Sequence, residues 1–214
     1  MNAVRKISLL LVVLALCLAG LGRASAAQLQ VIVRAADGQP LADAAVTYHP
    51  EGAAPQRGFR LPWPAAIAQQ DIAFRPHVLI VPVGAEVRFP NLDKVRHHVY
   101  SLSKGNRFEI RLYGKDETRT HVFQSAGVAA LGCNIHDRMA AYVVVVDTPF
   151  AGLSDGAGVV RLEGLPVGKG EVRVWHESLR NPAKPQPFAA VVTASPGTPL
   201  EVRLATAPAN AHTH

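Results

Sequence analysis

Cysteine is nearly missing from this 214-residue chain, which holds Cys17, Cys133 and no other. Residues 1–26 read as a secretory leader, so Cys133 is the one thiol left after export. A lone thiol cannot cross-link its own chain, whereas exported proteins normally pair theirs. Disulfide-stapled scaffolds are therefore excluded, and stability has to come from a packed core and from any metal bound to it. Helical periodicity is missing as well: past the leader, no dozen residues carry an apolar stripe at helical spacing. No later segment offers the roughly 20 apolar residues that would span a bilayer, so the mature chain is expected to be soluble, without membrane insertion. Excess charge is scarce too. Of 22 Lys and Arg against 16 Asp and Glu, Arg5, Lys6 and Arg23 fall in the leader, which leaves 19 against 16. A surplus so small and scattered argues against nucleic acid as a partner. Neither a Ser-His-Asp constellation nor a carboxylate pair stands out. The run Gly164-Leu165-Pro166-Val167-Gly168-Lys169 lacks the glycine spacing, the hydroxyl residue and the helix of a phosphate loop.

The leader has the three parts of an export signal. Arg5 and Lys6 supply the basic start, Ile7 to Leu21 the apolar stretch and Ala24-Ser25-Ala26 the small-residue cleavage pattern. Leu16 stands where lipidation of Cys17 would want a small residue, so a soluble periplasmic protein is expected.

Alternation with period two fills the rest. Leu29, Val31 and Val33 share a face, as do Val172 with Val174, and Leu200 with Val202 and Leu204. Phe108, Ile110 and Leu112 form another face, with Arg107, Glu109 and Arg111 turned to water. Tyr142 to Val146 is an unbroken apolar run, as expected of a strand covered on both sides. Gly and Pro punctuate these runs at the intervals of sandwich proteins. The fold class is all-β. Residues 66–147 hold the candidate ligands, Gly52 to Pro64 reads as a linker, and 206–214 reads as a disordered tail.

The run Cys133-Asn134-Ile135-His136-Asp137-Arg138-Met139 puts thiolate, imidazole and thioether within seven residues. That is the soft donor set copper prefers, and a loop between two strands can supply all three. A single loop cannot close around an ion, so a fourth ligand has to come from a distant strand. Phe89-Pro90-Asn91-Leu92-Asp93-Lys94-Val95-Arg96-His97-His98-Val99 offers it. Neighbouring strand residues face opposite ways, and Val99, the apolar residue expected to face the core, shares its side with His97. His97 is therefore the expected ligand. His98 is expected to support the Cys133 loop by hydrogen bonding, with Asn91 as a second supporting group. His49, His77, His121 and His176 have no companions at ligand spacing and read as surface or satisfied strand residues.

This combination resembles the cupredoxin family of plastocyanin- and amicyanin-like blue copper proteins over roughly Ile67 to Asp147. The resemblance implies a Greek-key sandwich holding copper through His97, Cys133, His136 and Met139 and passing single electrons between transient redox partners. It also implies a docking patch around His136, with Pro90, Leu131, Ala140 and Ala141 as rim residues. The chain departs from many members in Ile135, where they have Pro, and in His98, where they have Asn. The run His97-His98-Val99-Tyr100-Ser101 ahead of the loop is also similar to exported proteins labelled methylamine utilization proteins. Outside this block, Asp37-Gly38-Gln39-Pro40-Leu41 with Ala44-Ala45-Val46, and Asp155-Gly156 through Leu162 to Trp175, resemble the halves of a carboxypeptidase regulatory-type β-sandwich. That likeness implies a second, discontinuous sandwich from 28–50 and 148–205, interrupted by the copper-bearing block; two sandwiches in tandem is the rival arrangement.

Four protein ligands leave no open coordination position, so a carrier is expected rather than an enzyme. Two other readings keep the same residues: a periplasmic copper delivery or storage protein, and a binding module in which the metal is structural. Zinc would take the Cys and both His but prefers a fourth nitrogen, oxygen or thiolate to a thioether.

Overall fold

The computed structural model describes residues 27–195 and 197–207, which form strands and no helix. The expected leader and Cys17 lie outside the described residues. So does the expected tail apart from its start, where the sequence reading needs correction: Thr206 bridges to Leu179, and its hydroxyl accepts from the Ala36 amide.

The chain begins with β1 (Ala27–Arg34) and β2 (Ala45–Pro50). Nine strands follow: β3 (Ala68–Gln69), β4 (Phe74–Arg75), β5 (Val78–Pro82), β6 (Glu86–Pro90), β7 (His97–Ser101), β8 (Phe108–Tyr113), β9 (Thr118–Val122), β10 (Gly127–Gly132) and β11 (Ala140–Val146). The last five are β12 (Ala151–Leu153), β13 (Val159–Leu165), β14 (Gly168–Trp175), β15 (Gln186–Val192) and β16 (Leu200–Arg203). Strands of the two flanks pair with one another, in the orders β13-β1-β16 and β12-β2-β14-β15. The middle nine build the sheet β5-β11-β10-β7-β8 and the two-stranded pairs β6-β9 and β3-β4.

Alternation explains the layering. In β11, Val143 and Val145 join one core with Leu79, Val81, Phe89, Val99, Cys133 and Met139. Val144 and Val146 point the other way, with Val78 and Ile80, into a core built on Tyr48, Val172, Val174 and Trp175. The apolar run read from the sequence is thus covered on both faces, one by the site-bearing layer and one by the flanks. Each fully buried Val or Leu contributes about 1.5–3 kcal/mol. The large side chains keep their polar ends satisfied: Trp175 donates to the Pro182 carbonyl at 2.8 Å, and Trp63 to Ile80 at 2.7 Å. The expected linker is anchored at Trp63 and again at Gln56, whose amide donates to the Asp147 carbonyl at 2.7 Å.

One expected alternation fails. Between β7 and β8, His97 pairs with Tyr113 but Val99 pairs with Ile110, so two β8 residues oppose His98. This bulge reverses the faces beyond it. Leu112 is therefore exposed, and Tyr113 takes the buried position.

Candidate metal centre

Strand β10 ends at Gly132 and delivers Cys133; β11 begins at Ala140, directly after Met139. Because β10 and β11 are antiparallel neighbours, the loop between them has to reverse within seven residues. The Met139 amide donates to the His136 carbonyl at 3.0 Å, closing the second half of that loop. His97 opens β7, which pairs with β10 on its other side through Tyr100 and Gly132. Gly132 is needed there, since a Cβ would stand 2.7 Å from the Tyr100 ring. The register brings His97 from about forty residues away to the loop.

Cys133 Sγ lies 3.7 Å from His136 Nδ1, and the His97 and His136 rings are 4.9 Å apart, centre to centre. One ligand atom from each of His97, Cys133 and His136 lies within 4.8 Å of the others, so the three can hold a metal ion. His97 and Cys133 are buried and His136 is half-exposed. Met139 is buried in the same core as Cys133.

The hydrogen bonds of His97 test whether an ion fits. Its Nε2 is 2.7 Å from Asp93 Oδ2, while its buried Nδ1 has no partner. A buried nitrogen left unpaired costs about 1–3 kcal/mol, which a bound cation would recover. A thiol and two imidazoles converging, with a thioether in the same core, make the donor set of a soft transition metal.

His98 stands apart. Its Nε2 meets Glu109 Oε1 at 2.9 Å, and the Asn134 amide lies 3.5 Å from the same nitrogen. Its Nδ1 is also unpaired, but among the described residues no group of ligand atoms converges on it. Asn91 is buried behind His97: its amide donates to the Val95 and Tyr113 carbonyls at 2.9 and 3.2 Å, and its oxygen accepts from the Asp93 amide at 2.9 Å. Asn91 thus closes the loop that carries Asp93.

Two of the four rim residues need correcting. Leu131 and Ala141 pair across β10 and β11 and are buried, so neither can meet a partner protein. Ala140 is exposed and Pro90 half-buried. Exposed apolar residues on the loops that carry Asp93, His97 and His136, and on the turn that meets Asp93, are Ile72, Leu92, Val95 and Ile135. Strand alternation could not flag them, because they sit on loops; Ile135, wedged between Cys133 and His136, carried the clearest signal.

Asp93 was also missed. Burial alone would raise its carboxyl, but hydrogen bonds from His97 and from the Ile72 and Asp71 amides outweigh that and hold it below the usual range. The remaining histidines among the described residues are engaged elsewhere. His49 meets Thr47 and Asp147, His77 meets Glu177, His121 stacks on Phe108, and His176 meets Ser178.

No protein-family model matches the chain, and no curated protein does. Solved structures are similar over part of it. A purple cupredoxin from Nitrosopumilus maritimus shares 25% identity over 37% of this chain and 97% of that one, with a TM-score of 0.34. A reduced mutant of amicyanin shares 19% over 47% and 97%, with a TM-score of 0.36. A Cu-containing nitrite reductase from Thermus scotoductus shares 23% over 55% of this chain but only 28% of its own, with a TM-score of 0.38. Each of these likenesses leaves much of this chain unmatched.

Proposed function

We propose that this chain is an exported one-electron carrier with a type 1 copper site, held by His97, Cys133 and His136 with Met139 as a weaker fourth ligand. The observation that carries the reading is the convergence of the unpaired His97 nitrogen, the Cys133 sulfur and the His136 nitrogen within 4.8 Å. Copper bound there would supply the one-electron couple between its cuprous and cupric states. A thioether as fourth donor favours copper over zinc.

The protein's own part is to hold the ligands still and keep water out. Cys133, His97 and Met139 are buried, and four protein donors would fill the coordination of a bound copper, as suits a carrier. His136 is the ligand that reaches the surface, which makes it the natural point of electron entry and exit. Ile135, its exposed chain neighbour, and the exposed Ile72, Leu92, Val95 and Ala140 on nearby stretches of chain are the candidates for an apolar contact suited to small, transient redox encounters. The leader-like pattern of residues 1–26 supports a periplasmic location for the chain. The likeness of the run His97-His98-Val99-Tyr100-Ser101 to proteins labelled methylamine utilization proteins makes methylamine oxidation one context in which to look for the electron donor.

Titration with Cu(II) tests the reading. The expected result is one copper per chain with the intense visible band of a copper–thiolate bond, cycling reversibly with a reductant and lost in Cys133→Ser. A colourless complex would overturn it, and rapid transfer of the copper to an acceptor protein would favour delivery instead.

A further inference from the structure

Asp93 lies outside the proposed ligand set and touches it. Its Oδ2 is 2.7 Å from His97 Nε2, short for a nitrogen–oxygen pair and typical of a charge-assisted bond. A neutral imidazole carries one N–H, and an ionised carboxylate can only accept. The hydrogen therefore sits on Nε2, which leaves the lone pair on Nδ1, the buried atom without a partner.

The same carboxylate is gripped from a second direction. The Asp71 amide donates to Oδ1 at 2.7 Å and the Ile72 amide to Oδ2 at 3.0 Å. Both amides belong to the two-residue turn between β3 and β4, closed by paired hydrogen bonds between Gln70 and Ala73. Asp71 and Ile72 have φ of +56° and +53°, the signature of a type I′ hairpin turn. Such turns are normally built from Asn and Gly, and a β-branched residue at positive φ is an outlier. The turn adopts this conformation with neither residue, and its two free amides end on one carboxylate. The backbone of Asp93 is fixed in turn by Asn91, and Leu92 donates to the Gln69 carbonyl at 2.9 Å. Every donor around this carboxylate favours its ionised form.

We propose that Asp93, held by the Asp71–Ile72 turn, is the positioning residue for His97: it fixes the ring's tautomer and orientation and, through its negative charge, lowers the reduction potential of the metal. The potential part rests on the copper reading above; the tautomer part does not. A carboxylate on the far nitrogen makes an imidazole a stronger donor, which favours the more highly charged oxidised metal.

The two parts have separate measurements on the full mature chain. In the copper-loaded protein, redox titration of the visible band should give a higher midpoint potential for Asp93→Asn than for wild type. Glu109→Gln removes a carboxylate beside His98 instead and should shift the potential less. Asp93→Ala should weaken copper binding roughly 10–100-fold, the usual effect of losing such a support. In the metal-free protein, nitrogen NMR of the His97 ring should report Nε2–H in wild type and a loss of that preference in Asp93→Ala. A midpoint for Asp93→Asn equal to wild type, or a shift no larger than that of Glu109→Gln, overturns the electronic role. Retention of the same tautomer in Asp93→Ala overturns the positioning role, whatever the metal does. A wild-type protein that takes no copper sinks the function proposed above, while the NMR result still decides the contact.

Discussion

His97 and His98 are chain neighbours, both buried, and differ in what their rings meet: one a thiol and a second imidazole, the other an exposed glutamate. The difference predicts that His97→Ala abolishes the copper–thiolate band while His98→Ala leaves most of it, as visible spectra of the two variants would show. The opposite result would reverse the ligand choice. At this scale the sequence carried a great deal. Spacing within one loop singled out Cys133 and His136, and register with Val99 singled out His97, three residues that the fold does bring together; Met139 as a fourth ligand remains a proposal. Asp93 was illegible. Its partners are the His97 ring, four residues on, and two amides some twenty residues upstream, exposed by a turn that contains no glycine to announce it.

Among the elements, the turn between β3 and β4 shows how a local cost is retained. Ile72 is half-exposed and packs little, so its side chain does not explain a left-handed conformation that costs roughly 1–3 kcal/mol. Ile72→Gly keeps the amide that holds Asp93 and removes the crowding at Cβ. It should raise the urea midpoint, by about 1 kcal/mol in stability, without changing the copper spectrum. Strand periodicity located β1, β11, β14 and β16 well. It misassigned Leu112 because a bulge adds one residue to β8, and a bulge is a property of the pair that neither strand's own sequence displays.

For the whole molecule, acid is the informative stress. Burial is the dominant influence on His49, His121 and His176 and depresses each below the ordinary histidine value of 6.5. A base with a folded pKa below its unfolded one binds more protons when unfolded. The stability it allows is therefore complete above about pH 6.5 and drains away as pH falls through the folded values. The depressed Asp93 adds a loss of the same sign at lower pH. Thermal melts should show a lower Tm at about pH 5 than at about pH 7, and a flat or inverted profile would contradict this assignment. The division of the chain remains a proposal: residues 28–50 and 148–205 as one interrupted sandwich, with 66–147 inserted. Its support is that the flanking strands pair only with each other among the described residues. The turn-rich flanks hinted at it, but no single-strand pattern can say that β1 and β16 lie side by side.

Strands β5 and β11 have no face to spare. Val78, Ile80, Val144 and Val146 on one side lock against the outer strands, while their neighbours on the other side wall in Cys133 and Met139. Severing the inserted segment would strip a hydrophobic surface bare, so the two halves should melt together in one calorimetric peak. Loading copper should move that entire peak upward rather than split it. Trp175, deep in the outer half and 4.9 Å from Tyr142 on β11, would then report the ion's arrival in its unfolding curve without ever approaching the ion itself.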